Sequence, residues 1–229
     1  MSEKIAFFLP TRKGSERVKN KNTKPFADIA GGLVENKIKQ VLETKLVDEI
    51  ILSTNDETCM EIAGKYACDN RLKIIPRPDY LCLSTTTLQD LITYVPTITD
   101  AAHIVWGHVT TPLTNGAIYD EGIQAYLDNL EKGYDSLIGV NDLRNFILDH
   151  EGRIINNTTN LPWPRTQDLE PLYEVNHTMF ITSRNTYITE KNRLGKHPYL
   201  FVMDKRFSFD IDWPEDFSIA EIMYRSLYK

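Results

Sequence analysis

Residues 4–22 read KIAFFLPTRKGSERVKNKN, and the join inside this stretch decides the fold. KIAFFLP is a short apolar run of the kind shown by a strand buried on both faces. PTRKGSERVKNKN has no apolar period; it holds Arg12, Lys13, Arg17, Lys19 and Lys21, with Lys24 just beyond and only Glu16 opposing them. A basic, glycine-containing loop directly after a first buried strand is where an open α/β sheet turns backbone N–H groups toward phosphate. Gly14 permits a left-handed or close backbone, Ser15 adds a hydroxyl, and Arg12 and Lys21 have the charge to neutralise a triphosphate. The loop lacks the Gly-Lys-Ser/Thr ending of a Walker A motif and the G-x-G-x-x-G of a dinucleotide fingerprint. A solvated basic turn has the same composition, so position and spacing are what favour phosphate.

Outward from this join the same alternation continues. DEIILST (48–54), LKIIP (72–76), HIVWGHV (103–109) and YDSLIGV (134–140) read as further buried strands. Between them lie helical patterns: one over 33–46, one in STNDETCMEIAGKYA with Asn55 or Asp56 as N-cap, one in STTTLQDLITYV starting from Ser84, Thr85 or Thr86, and one after Pro112. Strand and helix in repetition predict right-handed crossovers and a three-layer α/β fold, a mostly parallel sheet with helices on both faces. The pattern then changes. Residues 141–205 are loop-rich, with DHEGR (149–153) as a hairpin turn and NLPWPRTQDLEP (160–171) as an extended strap. VNHTMFIT reads as a strand, 185–192 as a helix, RFSFDID as a last strand, and a terminal helix begins at Pro214 with Glu215 and Asp216 in its first turn. The reading is one domain over 1–229, with 141–205 projecting as a lid or dimerisation arm.

A second chemical feature lies in SFDIDWPEDF. Asp210 and Asp212 flank Ile211, so on an extended segment both carboxylates project to one side. Two hard oxygen ligands suit Mg²⁺, which takes one or two carboxylates together with substrate phosphates and water. An N-capping aspartate beside a surface acid is the plainer alternative. Asp216 reads as a first-turn helix acid.

Bulk properties exclude some partners. The 229 residues carry a net charge of −6, which argues against a nucleic-acid-coating surface. The N-terminus has no apolar signal core and no apolar run reaches membrane-spanning length, so a cytoplasmic protein without membrane association is expected. Cys59, Cys68 and Cys82 lack metal-ligand pairing and read as reduced, buried thiols.

Taken in order, these blocks amount to a resemblance. RKGSERVKNKN resembles the N-terminal signature of the CMP-sugar synthetases, the acylneuraminate and related cytidylyltransferases. EIILST before an acidic helix start, PRPDYL before a Ser/Thr cluster, and HVTTPLT are similar to later blocks of that family. PRTQDLEPLYEVNHTMFI looks like its substrate strap and following strand, and FSFDIDWPEDFSIAE like its metal-binding close.

The resemblance implies a Rossmann-like nucleotidyltransferase that transfers CMP from CTP to the anomeric hydroxyl of an acidic nonulosonate-type sugar, with Mg²⁺ and release of pyrophosphate. It implies that Arg12 and Lys21 hold the CTP phosphates, with Gly14 and Ser15 assisting and Asn22 supporting the loop or the nucleotide. Arg77 and the hydroxyls of Ser84, Thr85 and Thr86 would lie near base or ribose. His108, Thr110, Arg165, Gln167, Asn176 and His177 would face the sugar, Arg165 through a planar fork suited to a carboxylate. Asp210 and Asp212 would hold the metal, Asp212 being the acid nearest the chemistry. His103 and His150 read as packing residues. In the family pattern His108 stands for Gln, Val109 for Pro, Thr114 for Arg and His177 for Gly, which leaves a modified nonulosonate or a 3-deoxy-octulosonate open as acceptor. Another sugar nucleotidyltransferase, or a non-catalytic relative, is the alternative. A homodimer through 141–205 is implied, with Phe146, Trp163 and Tyr173 available for burial.

Overall fold

The structure, a computed structural model, describes residues 3–15 and 17–228. Glu16 lies outside the described residues. Strands β1 (Ile5–Pro10), β2 (Glu49–Thr54), β3 (Leu72–Pro76), β4 (His103–Gly107), β5 (Ser136–Leu143), β6 (Leu172–Ser183) and β7 (Pro198–Val202) form one seven-stranded sheet in the order β3-β2-β1-β4-β6-β5-β7. β6 runs against both β4 and β5, and every other pairing is parallel.

The alternation of side chains along β1 divides the core. Ile5, Phe7 and Leu9 enter the cluster covered by helices α1 (Gly32–Leu42), α2 (Glu57–Gly64), α4 (Gly116–Leu130) and α6 (Pro214–Tyr228). Ala6 and Phe8 enter the opposite cluster, which takes Ile92 from α3 (Leu88–Tyr94) and Tyr187 from α5 (Arg184–Thr189). Edge-to-face contacts fix each side: Phe7 on Tyr119 at 4.9 Å and Phe8 on Trp106 at 4.8 Å between ring centroids. The three-layer, mostly parallel architecture expected from the sequence is the one observed.

Local differences have physical reasons. Asp56 caps α2 by accepting from the Thr58 amide. α3 is capped by Thr87, one residue beyond the expected hydroxyls, because only Thr87 has Asp90 at the position that closes a reciprocal capping box. RFSFDID forms no strand: Asp204 and Arg206 close a turn that takes in its first residues, and its backbone is held by the loop after β4, Ile211 N donating to Thr110 O at 2.9 Å. β7 was not expected; PYLFV is too short, and too close to Pro198, to stand out beside its loop.

The 141–205 segment divides. β6 passes through the middle of the sheet and β7 forms its edge, so the longest stretch of this segment outside the sheet is residues 144–171, between β5 and β6. DHEGR is the expected turn, with Asp149 N donating to Arg153 O at 2.9 Å. Within the stretch Phe146 and Trp163 stack edge-to-face at 5.1 Å, while Trp163 remains 73 % exposed. His103 is buried between Tyr126 and Glu3 as expected, whereas His150 is exposed. Of the cysteines only Cys59 is buried; Cys68 is exposed.

Candidate active site

β1 and β4 are neighbours at the point where the strand order reverses, and the loops after them open at the same end of the sheet. The basic loop follows β1. Gly14 adopts φ +84°, a conformation that side chains with a Cβ rarely take, and this turns the chain back over the strand end. Asn22 is buried and closes the loop: its Nδ2 donates to Arg12 O at 3.2 Å, and its own carbonyl accepts from Val34 N at 2.9 Å. Supporting the loop is therefore its observed role. A cavity of about 300 Å³ opens against this loop, lined by Arg12, Ser15, Arg17 and Lys21 and, from the β4 side, by His108 and Thr110.

The acid pair meets the loop at its closing end. Lys21 Nζ donates to the carbonyl oxygen of Ile211 at 2.8 Å, between the two aspartates. Burial pulls the Lys21 ammonium below its ordinary value, and Asp210 and Asp212 oppose that fall. Burial pushes the Asp210 carboxyl above the usual range, a hydrogen bond from Thr110 works against the rise, and its Oδ1 is buried without a hydrogen-bond partner. Asp212 is more exposed and accepts from Arg17 at 2.8 Å, while Arg17 also lies 4.8 Å over the Trp213 ring. Asp216 accepts from the amides of Asp212 and Trp213, which is the first-turn role expected of it. Both members of the pair line a second cavity of about 500 Å³ together with Asn176 and His177.

The histidines sit where β4 and β6 meet. Trp106 Nε1–H donates to His108 Nε2 at 3.2 Å, so the other ring nitrogen carries the proton and Nδ1–H donates to His177 O at 2.8 Å. Burial, with the Arg193 charge as second cause, lowers the His108 pKa to about 3, and the imidazole is neutral. His177 adopts φ +58°, the left-handed conformation for which glycine is the natural residue. It lies in an irregularity where β6 slips against β5. Asn176 is buried there, paired to Asn141 and Thr178, and its side chain occupies the space that a Cβ on Gly139 would need, 2.7 Å away.

Other predicted residues stand apart from the cavities. Arg77 is buried, not solvated: it donates to Ser53 O at 2.6 Å at the end of β2, and burial lowers its pKa. Ser84, Thr85 and Thr86 lie on the exposed rim, reached by the basic loop through Arg12 Nη1 to Leu83 O at 3.2 Å. Arg165 and Gln167 are exposed on the strap, and Arg165 turns its fork onto Asp168 at 2.8 and 2.9 Å. The (i, i+3) spacing favours this local pair. Of the remaining cations in the loop, Lys13 pairs with Glu57 at 2.9 Å and Lys24 covers the Phe217 ring at 4.4 Å.

Sequence reasoning missed Lys37. Fully buried on α1, it donates to Thr111 O, Thr114 O and Tyr119 Oη at 2.8–3.2 Å and pins the loop that carries His108 and Thr110. Its helical periodicity places it on the apolar face, which is a faint signal in sequence.

With this geometry in hand, the comparison that decides the family is a match of residues 6–226 to the cytidylyltransferase family model. The chain belongs to the cytidylyltransferase family. This cytidylyltransferase is 25 % identical to the pseudaminic acid cytidylyltransferase of Campylobacter jejuni strain 81-176, over 95 % of its own length and 94 % of the relative's. It is 26 % identical to the N-acylneuraminate cytidylyltransferase of Streptococcus agalactiae strain 2603 V/R over 91 % of its length, covering 50 % of that longer protein. Its fold matches a CMP:2-keto-3-deoxy-manno-octonic acid synthetase complexed with CTP, at TM-score 0.66 and 12 % identity over 98 % of this chain and 100 % of that one. It matches the 4-diphosphocytidyl-2C-methyl-D-erythritol synthase of Anaerococcus prevotii at TM-score 0.68 and 13 % identity, over 97 % and 96 % of the two chains. A nucleotidyltransferase with a Rossmann-like sheet is thus the assignment that fold and family share.

Proposed function

We propose that this cytidylyltransferase activates an acidic nonulosonate-type sugar, joining its anomeric hydroxyl to the CMP moiety of CTP. The observation that carries the reading is the Lys21–Ile211 contact, which brings the basic loop and the acid pair to one mouth. The relatives named for pseudaminic and N-acylneuraminic acids support the acidic acceptor.

In the reaction the anomeric oxygen attacks the α-phosphorus in line. The new O–P bond forms, the bond to the β-phosphate bridging oxygen breaks, pyrophosphate leaves with that electron pair, and the hydroxyl proton passes to solvent. Lys21 and Arg12, which line the cavity, would offset the negative charge that accumulates on the phosphates, and catalysis would come from positioning and electrostatics. Ser15 and the loop backbone orient the chain of phosphates. Neutral His108 offers no charge to the sugar and holds the β6 turn through His177 O.

The acid pair fits a hard cation. Asp210 Oδ1 is a buried oxygen with no partner, and Asp212 needs only to release an exposed arginine. Among the described residues no cluster of three or more His, Cys, Asp or Glu stands together, so the pair would be the protein's share of an Mg²⁺ shell completed by phosphate and water. Bound there, Mg²⁺ would neutralise phosphate charge and lower the barrier to departure of pyrophosphate.

The exposed apolar residues of 144–171, Leu148, Ile155, Leu161 and Trp163, support a homodimer formed through this stretch, which would also carry Arg165 toward a partner's site. No helix among the described residues is long and apolar enough to cross a membrane, and the reading places the enzyme in the cytoplasm with its CTP. Phosphorus NMR of CTP, Mg²⁺ and a nonulosonate with the enzyme tests the chemistry: a phosphodiester signal and free pyrophosphate are expected in equal amounts, and unchanged CTP with every acid sugar would overturn it.

A further inference from the structure

The cations at the mouth and beyond it are largely committed: Arg17 to Asp212 and Lys21 to Ile211 O at the mouth, Arg165 to Asp168 and Arg77 to Ser53 away from it. Arg193, in the loop between α5 and β7, is held differently. Its guanidinium carbon lies 3.7 Å over the Phe180 ring and 5.0 Å over the Trp106 ring. Among the described residues no carboxylate or carbonyl accepts a hydrogen bond from it. Two aromatic faces support the plane of the fork and leave its N–H edge unspent.

Phe180 and Trp106 are the same rings that flank His108, at 6.3 and 6.4 Å between centroids, and His108 lines the cavity beside the basic loop. Arg193 is near enough for its charge to help keep His108 neutral. Behind it the buried Oη of Tyr187 has no hydrogen-bond partner, and burial lowers the guanidinium pKa to about 10, so the group is still charged at neutral pH but poorly solvated. A charge in this state gains from an anion that brings two oxygens to a planar fork.

We infer that Arg193, cradled on Phe180 and Trp106, is the residue that binds the carboxylate of the sugar acid. The inference rests on the proposed activity and names the group that selects its acceptor. In an α-keto acid sugar the anomeric carbon itself bears the carboxylate, so fixing that group at Arg193 also orients the attacking hydroxyl. Arg165, the residue that the strap suggests for an acidic group, has its fork on Asp168.

The test is steady-state pyrophosphate release with CTP, Mg²⁺ and N-acetylneuraminate, pseudaminate or 3-deoxy-octulosonate, on wild type, Arg193→Met and Arg193→Lys. Methionine keeps an apolar stem on Phe180 and removes the charge; lysine keeps the charge and loses the fork. With the best acid sugar, Arg193→Met is expected to raise the sugar KM about ten- to a hundredfold, the size of a lost charge-assisted pair, with Arg193→Lys in between. The KM for CTP stays within about twofold, which reports an intact nucleotide site. An unchanged sugar KM in Arg193→Met, or an equal rise in the KM for CTP, overturns the assignment of Arg193 while leaving the activity standing. No release by wild type with any acid overturns the activity itself, and the inference with it. If Arg193→Met does not fold, a sugar KM in Arg193→Lys equal to wild type overturns the role of the fork.

Discussion

Lys21 Nζ lies 2.8 Å from Ile211 O, so a residue of the first loop is tied to the segment that carries both aspartates, across 190 residues of chain. The bond orders two halves of the site that no sequence neighbour could bring together. Lys21→Met removes the ammonium and keeps the stem. Turnover is expected to fall by about a hundredfold or more, the scale for removing one stabilising donor of a developing charge. The lost hydrogen bond costs only about 1 kcal/mol, roughly 2–4 °C in melting temperature for a chain of this size. Wild-type turnover in a folded Lys21→Met protein would contradict the role.

His108 gives the acid limb of stability a defined sign. Its folded pKa is lowered to about 3 from 6.5, so between these values the unfolded chain binds the proton and the folded one does not. Stability from this group is present above the unfolded value and is lost as pH falls from 6.5 toward 3. His108→Gln should therefore lose less stability than wild type between pH 7 and 4, by on the order of 1–3 kcal/mol allowing for partial exposure. Urea titrations at both pH values measure it, and parallel losses would contradict it.

Lys37 donates to three buried acceptors under the loop after β4. Lys37→Met leaves two carbonyls and a phenol without that donor, a cost of roughly 1–3 kcal/mol for buried groups left unpaired. Thermal unfolding should move down by about 3–10 °C. A melting temperature within about 2 °C of wild type would show that the loop is held by other contacts.

Two substitutions separate backbone from side chain at the β5–β6 irregularity. A Cβ on Gly139 would stand 2.4 Å from Thr178 Oγ1 and 2.7 Å from Asn176 Oδ1, so Gly139→Ala should destabilise by roughly 1–3 kcal/mol. His177→Gly suits the observed φ of +58° and keeps the carbonyl that His108 uses. Its stability should stay within about 1 kcal/mol of wild type. Differential scanning calorimetry of both reads the contrast; equal losses would contradict it.

How much of this was legible in the sequence follows from the range of the interactions. The strands of the parallel half, the basic loop after KIAFFLP and the N-cap at Asp56 are local, and each was readable from a few neighbouring residues. The pairing of Asp210 and Asp212 with the loop was readable only through the resemblance, because it depends on tertiary contact with Lys21 and Thr110. The local pairing of Arg165 with Asp168, three residues on, is a contact that the strap motif does not announce. Arg193 and Lys37 had no motif to announce them, since their environments come from β4, β6 and the loop after β4.

The most direct measurement of the central claim is pyrophosphate release by the wild-type enzyme with Mg²⁺, in which CTP, UTP, ATP and GTP are each paired with acid sugars and with neutral sugar phosphates. The account predicts release with CTP and an α-keto acid sugar, at least about tenfold above every other pairing. Release confined to neutral sugar phosphates, or equal release with all four nucleotides, would contradict it.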